Sequence, residues 1–266
     1  MLTLEQHHNP RTEVSMTKEF DGKTVIVTGA GSGIGAACAE QLAAAGARTV
    51  VADLNLSGAE AVVARIEAAG GMARAYAIDV SDPESVKAMV DFTLSSFGRL
   101  DGAVNNAGIG GPLKPLADYG LDEWKQVLDV NLNSVFYCMK YQIAAMLQTG
   151  GGAIVNMSSI LGTNGFANAS AYVATKHALV GMTKSAALEY SAKGIRVNAV
   201  GPGFIRTPLV ENAMDEATLT GLAGLHPIGR LGASHEVANL TLFLLSDQAS
   251  FITGSYHLVD GGYAAQ

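Results

Sequence analysis

The run Thr24-Val25-Ile26-Val27-Thr28 passes without a spacer into Gly29-Ala30-Gly31-Ser32-Gly33-Ile34-Gly35, and an apolar-periodic stretch follows at once. Few folds admit that succession. A strand that is apolar on consecutive residues must be covered on both faces, as in a parallel sheet. Glycines at its end let the chain reverse sharply, and a helix must then pack back onto the strand. The same alternation continues along the chain. Strands are expected at 24–28, 49–52, 74–78, 102–105, 153–157, 196–200 and 256–259, and helices at 34–45, 58–69, 83–97, 121–147 and 171–192. Strand–helix alternation builds right-handed βαβ units. The expectation is therefore an α/β chain: a single doubly wound Rossmann-type domain, its mainly parallel seven-stranded sheet carrying helices on both faces. No repeat or linker divides residues 20–266. Residues 1–19 are polar, contain His7-His8, lack a signal-peptide core, and are expected to form a weakly ordered tail.

Composition excludes several classes. A net charge of -7 without a Lys/Arg cluster argues against a generic nucleic-acid binder. No apolar run reaches the ~18 residues of a membrane span. Cys38 and Cys138 are far apart in apolar stretches, which suits small core residues and a reduced, cytoplasmic protein rather than a disulfide. His226, His235 and His257 lack metal-ligand spacing, so no metal is expected in the chemistry.

The glycine turn has a physical use. Its backbone N–H groups can approach a pyrophosphate closely, and the following helix N-terminus adds the positive end of its dipole. Strand before, helix after is the context such a site requires. Asp53 closes the second strand 18 residues past Gly35, near the ~20 expected of an acid that accepts hydrogen bonds from an adenosine ribose. A 2′-phosphate there would meet like charge, which favours NAD(H) over NADP(H); Arg48, just before the strand, is the one residue that pulls the other way.

A second pattern carries chemistry. Tyr172 and Lys176 stand four residues apart in a helix-like stretch and so share one face. A phenol has a reference pKa of about 10. A fixed ammonium beside it favours phenolate, making the pair a candidate acid–base device.

These motifs, in this order, resemble the short-chain dehydrogenase/reductase family across residues 20–266. The family's T-G-x-x-x-G-x-G loop corresponds to residues 28–35, implying cofactor contacts from Gly29, Ser32, Gly33, Ile34 and Gly35. Asp53 and Leu54 would meet the ribose, and Asp79-Val80 would border the adenine. Asn106, Ala107 and Gly108 fall in its N-N-A-G segment, and Pro202-Gly203 in its P-G turn, with Ile205 and Thr207 near the nicotinamide carboxamide. The implied catalytic set is Asn131, Ser159, Tyr172 and Lys176; Ser159 lies 13 residues before the tyrosine, which selects it over Ser158. In the implied mechanism Ser159 holds the substrate oxygen, and Tyr172 exchanges the proton. Lys176 lowers the tyrosine pKa and bonds the nicotinamide ribose, while Asn131 holds a water leading to solvent. Tyr172 and Lys176 thus count among the cofactor contacts too. A homotetramer is implied, built by pairing helices 121–147 and 171–192 and packing the last strand.

For substrate, the segment 207–226 carries Leu209, Val210, Ala213, Met214, Leu219, Leu222 and Leu225, with Leu161, Phe166 and Phe204 expected opposite. That apolar set predicts a compact, mostly apolar or cyclic secondary alcohol or its ketone. The alternatives are a 3-oxoacyl thioester, a sugar of the glucose type, or an NAD-sensing scaffold without turnover. Intact catalytic positions argue against the last.

Overall fold

The structure, a computed structural model, describes residues 19–212 and 215–265. Its order is β1 (Thr24–Thr28), α1 (Gly33–Ala44), β2 (Arg48–Asp53), α2 (Leu56–Ala68), β3 (Met72–Ala77), α3 (Pro83–Phe97), β4 (Gly102–Asn105), α4 (Leu121–Leu128), α5 (Ser134–Thr149), β5 (Gly152–Met157), α6 (Ser170–Tyr190), β6 (Ile195–Pro202), β7 (Ile205–Arg206), α7 (Pro208–Glu211), α8 (Glu216–Gly224), β8 (Gly232–Ala233), α9 (Ser234–Leu245) and β9 (Tyr256–Val259). Seven strands form one sheet in the order β3-β2-β1-β4-β5-β6-β9, every pair parallel.

The consecutive apolar residues of the strands are divided between two cores, as a two-residue side-chain period requires. On β1, Val25 and Val27 face α1, α2 and α9, whereas Ile26 faces α3, α5 and α6. On β5, Val155 joins the first core and Ile154 the second. The order reverses between β1 and β4, which opens a crevice at the carboxyl ends of those strands. Helix starts are fixed locally: Asp82 accepts from the Glu84 N–H at 3.1 Å, with Pro83 beside it in the first turn.

The expected helix 121–147 is interrupted. Residues Asp129–Asn133 form a π-helical turn between α4 and α5, a device that inserts a wider ring and re-aims nearby groups. The third strand begins and ends earlier than expected, and the last long helix stops at Tyr190. A separate β7–β8 pair and the helices α7, α8 and α9 were not among the expected elements. The tail expected at 1–19 lies outside the described residues except for Glu19, whose carboxylate accepts from Gln248 Nε2 at 2.7 Å. Among the described residues no helix is long and apolar enough to cross a membrane.

Candidate active site

At the β1/β4 switch point lies a cleft of about 920 Å3. One wall is the glycine turn. Gly29 has φ +61°, and a side chain there would sit 2.8 Å from Ala107 Cα. The Asn106 amide donates to the carbonyls of Thr28 and Gly29 at 3.0 and 3.1 Å, and Thr28 Oγ1 accepts from the Asn106 and Ala107 N–H groups. The turn is thus locked to the end of β4. Ser32 precedes α1 but its side chain caps nothing, and the first turn of α1 holds no acid. The leading N–H groups of α1 are left to face the cleft, where Ser32, Gly33 and Ile34 form its lining. This arrangement fits an anionic diphosphate.

Asp53 and Leu54 line the same cleft from the end of β2, with Leu54 77% exposed. Asp53 Oδ2 accepts from the Gly31 N–H at 2.7 Å and Oδ1 from the Asn55 N–H at 2.9 Å. Each carboxylate oxygen keeps lone pairs for a ligand hydroxyl. Arg48, at the opposite end of β2, spends its guanidinium on the carbonyls of Phe97 and Gly22. Asp79, Val80, Asn106, Ala107 and Gly108 also border the cleft, as does Thr207, whose methyl would lie 3.3 Å from a side chain at Gly33. Of the residues expected to touch cofactor, Gly35, Tyr172, Lys176, Pro202, Gly203 and Ile205 do not line this cleft. Gly35 packs beneath the turn, and Ile205 is buried in the first core.

The expected catalytic residues converge beyond Gly108. A methyl placed on Gly108 would lie 3.2 Å from Asn131 Oδ1 and 3.8 Å from Lys176 Nζ. Asn131 is 1% exposed, and its amide both donates to and accepts from the Ile109 backbone at 2.8 Å. That grip is made from the π-helical turn. Lys176 is 4% exposed; its Nζ donates to the Met157 carbonyl at 2.8 Å and lies 5.3 Å from the Tyr172 ring centroid. Burial lowers its pKa to about 8. Burial also raises the Tyr172 phenol above its usual value, while the neighbouring Ser159 hydroxyl pulls it back down.

Burial acts against the expected lowering of Tyr172 by Lys176. The same desolvation that disfavours the phenolate also disfavours the ammonium, and the Ser159 hydroxyl opposes burial at Tyr172. Sequence reasoning passed over three supporting groups. Ser158 Oγ donates to the Lys176 carbonyl at 2.9 Å. The Tyr256 hydroxyl donates to the Ser159 carbonyl. His226 accepts from the Phe204 N–H at 3.2 Å through Nε2, so its Nδ1–H donates to the Leu222 carbonyl at 2.8 Å. A serine beside the chosen one was visible in the sequence; the other two pairings join distant segments.

On the expected substrate side, Leu219, Leu222 and Leu161 are buried, and Leu225 is exposed. Phe166 and Phe204, on separate loops, pack at a tilt of 59° with ring centroids 6.0 Å apart. Ala213 and Met214 lie outside the described residues.

A doubly wound sheet whose first helix N-terminus opens on a cleft at the switch point is the architecture of a dinucleotide-dependent enzyme. The family model described as "Enoyl-(Acyl carrier protein) reductase" matches residues 29–264. The chain is 50% identical over 254 residues to cyclohexanol dehydrogenase of Acinetobacter sp. (strain SE19), covering 96% of this chain and 100% of that one. It is 49% identical over 250 residues to 2,5-dichloro-2,5-cyclohexadiene-1,4-diol dehydrogenase of Sphingobium indicum (strain DSM 16412 / CCM 7286 / MTCC 6364 / B90A), covering 93% and 99%. The crystal structure of levodione reductase superposes with a TM-score of 0.90 at 38% identity, covering 92% of this chain and 99% of that chain. The chain belongs to the short-chain dehydrogenase/reductase family and is an oxidoreductase acting on CH–OH groups with a nicotinamide cofactor.

Proposed function

We propose that the protein interconverts a compact, mostly apolar cyclic secondary alcohol and its ketone, with NAD(H) preferred over NADP(H). The convergence of Asn131 and Lys176 beside Gly108, with Tyr172 against Lys176 and Ser159 against Tyr172, carries the proposal of chemistry, because it sets a proton-exchanging phenol close to a diphosphate-compatible cleft. Two relatives near 50% identity are named for six-membered carbocyclic alcohols, which supports the ring-shaped substrate.

Bound nicotinamide supplies the hydride acceptor or donor, and every other task falls to the chain. In alcohol oxidation Ser159 Oγ holds the hydroxyl oxygen, and the Tyr172 phenolate takes its proton as the carbonyl forms. Ketone reduction is the reverse and needs the neutral phenol. Lys176 has one N–H on Met157; two remain for a ribose hydroxyl and a water. Asn131 keeps one lone pair and one N–H beyond its grip on Ile109, enough to hold that water.

Asp53 carries the cofactor preference. Among the described residues lining the cleft, the one cation, Lys125, is already paired with Asp129, and Arg48 is turned away. A 2′-phosphate would lack a partner. Initial rates on cyclohexanol, a sugar alcohol and, in reduction, an acetoacetyl thioester, with both cofactors, test both halves of the proposal. Fast oxidation of cyclohexanol with NAD+ is expected, and Asp53→Ala should cut the NAD/NADP preference at least tenfold, since an interaction of about 1.4 kcal/mol makes a tenfold difference. Thioester reduction with NADPH as the best pair would refute both substrate and cofactor readings.

We also propose a homotetramer. Phe136, Leu121 and Leu147 on the α4–α5 unit and Leu188 on α6 are exposed, as are Phe251 and Leu258 near the last strand. Light scattering is expected to give four times the chain mass; a monomer at micromolar concentration would refute it. Burial pushes both thiols up to about 12, leaving Cys38 and Cys138 unreactive, which suits a cytoplasmic enzyme.

A further inference from the structure

We infer that Tyr256, on the last strand, is a positioning residue for the active site: its phenol holds the Ser159 peptide and thereby the hydroxyl that faces Tyr172. The inference rests on the reading of Ser159 and Tyr172 given above.

The geometry is specific. Tyr256 pairs with Ala199 across β6–β9, and its ring lies against Gly201, two residues along β6. Any side chain at 201 would overlap the ring, with a Cβ only 2.5 Å from Cζ. The glycine therefore leaves the space that lets the ring lie over β6 and its hydroxyl reach the Ser159 carbonyl. Ser159 is held at two further points. Its Oγ accepts from the Leu161 N–H at 3.2 Å, and it leads into the Ile160–Gly162 turn. The Ser159 carbonyl also accepts from the Gly162 N–H at 2.8 Å within that turn. Without the Tyr256 hydroxyl it keeps that bond alone, and the 159–160 peptide is held less tightly. Oγ can then shift relative to Tyr172.

The consequence has a sign. Ser159 is what draws the Tyr172 phenol down against burial. Loosening it lets the Tyr172 pKa rise further. The groups facing Tyr256 are Thr163, Asp260 and Tyr172; burial keeps the Tyr256 phenol itself above its usual value, which favours the neutral, donating form. Lys176 adds a cation facing Tyr172.

The test is Tyr256→Phe, which keeps the ring and removes the hydroxyl. Expected are a fall in kcat of roughly tenfold, as small misplacements of reacting groups produce, an unchanged dissociation constant for NADH, and an alkaline shift of the kcat profile for alcohol oxidation. Ultraviolet difference titration of the cofactor-free protein supplies a readout apart from turnover. The Tyr172 signal, isolated by subtracting Tyr172→Phe in each background, should move to higher pH in Tyr256→Phe. Gly201→Ala reaches the same hydroxyl from β6 by pushing the ring off Ser159, and should reproduce the shift should Tyr256→Phe fail to fold. An unmoved titration and pH profile would overturn the inference, even with lower stability, since that is the outcome of a merely structural tyrosine. Turnover surviving Tyr172→Phe would overturn the underlying site reading as well, whereas an inactive Tyr172→Phe with a parent-like Tyr256→Phe would remove this inference alone.

Discussion

Replacing Tyr172 by phenylalanine is expected to lower kcat for alcohol oxidation about a thousandfold while leaving NADH binding and the melting temperature near those of the parent. General acid–base catalysis by a positioned side chain contributes about 10²–10⁴ in rate, and a thousandfold corresponds to about 4 kcal/mol of barrier. The phenyl ring keeps the packing against Lys176, whose Nζ lies 5.3 Å from the ring centroid, so only the proton carrier is lost. The pH dependence follows from the same group. Burial holds the phenol above its ordinary range, so the phenolate that oxidation needs becomes more populated as pH rises, and the neutral phenol that reduction needs is lost. Oxidation should therefore climb toward alkaline pH, and reduction should hold on the acid side. In Tyr172→Phe the climb should vanish with the activity. A kcat within tenfold of the parent, or a surviving alkaline limb, would place the proton carrier elsewhere.

Gly35→Ala is expected to raise the NADH dissociation constant at least a hundredfold and to lower the melting temperature. The new methyl would fall on the Gly29 carbonyl and 2.7 Å from Asn106 Nδ2. That amide is the clamp that ties the Thr28 and Gly29 carbonyls to the end of β4. The backbone cannot swing aside as a flexible side chain would, so the turn must open and the leading N–H groups of α1 lose their aim. Overpacking in a closed site costs about 1–3 kcal/mol in stability, and the loss of diphosphate alignment adds to the binding defect. Fluorescence titration with NADH and a thermal melt measure the two parts separately. Parent-like binding would mean that the turn has room the geometry does not show. Gly35 was expected to touch the cofactor; its place under the turn gives it a role in shape instead.

The layout of the sheet was legible because its signals are local. Consecutive apolar residues on β1 and β5 mark strands covered on both faces, and the glycine turn between β1 and α1 carries its own conformational demand. Asp53 was legible because the end of β2 is a fixed distance in sequence from the turn, and the structure adds its hydrogen bond to the Gly31 N–H. The helix 121–147 was misread as uninterrupted, since a π-helical turn keeps the apolar periodicity that surrounds it and has no residue signature of its own. The four-residue α7 and the two-residue β7 and β8 were missed because elements so short carry no period to detect.

By itself the sequence determined the strand–helix alternation, the glycine turn after β1, the acid that follows it, and the order in which Asn131, Ser159, Tyr172 and Lys176 occur, because propensity, periodicity and spacing act over a few residues. Only the tertiary structure decided that Lys176 bonds the Met157 carbonyl and shares the desolvation of Tyr172, and that Asn131 grips Ile109 from a widened turn. It also decided that Tyr256 reaches Ser159, 97 residues away in the chain. Contacts of that kind depend on which strands become neighbours and in what register, and burial, which sets the direction of both pKa shifts, exists only once the sheet and its helices have closed around the site.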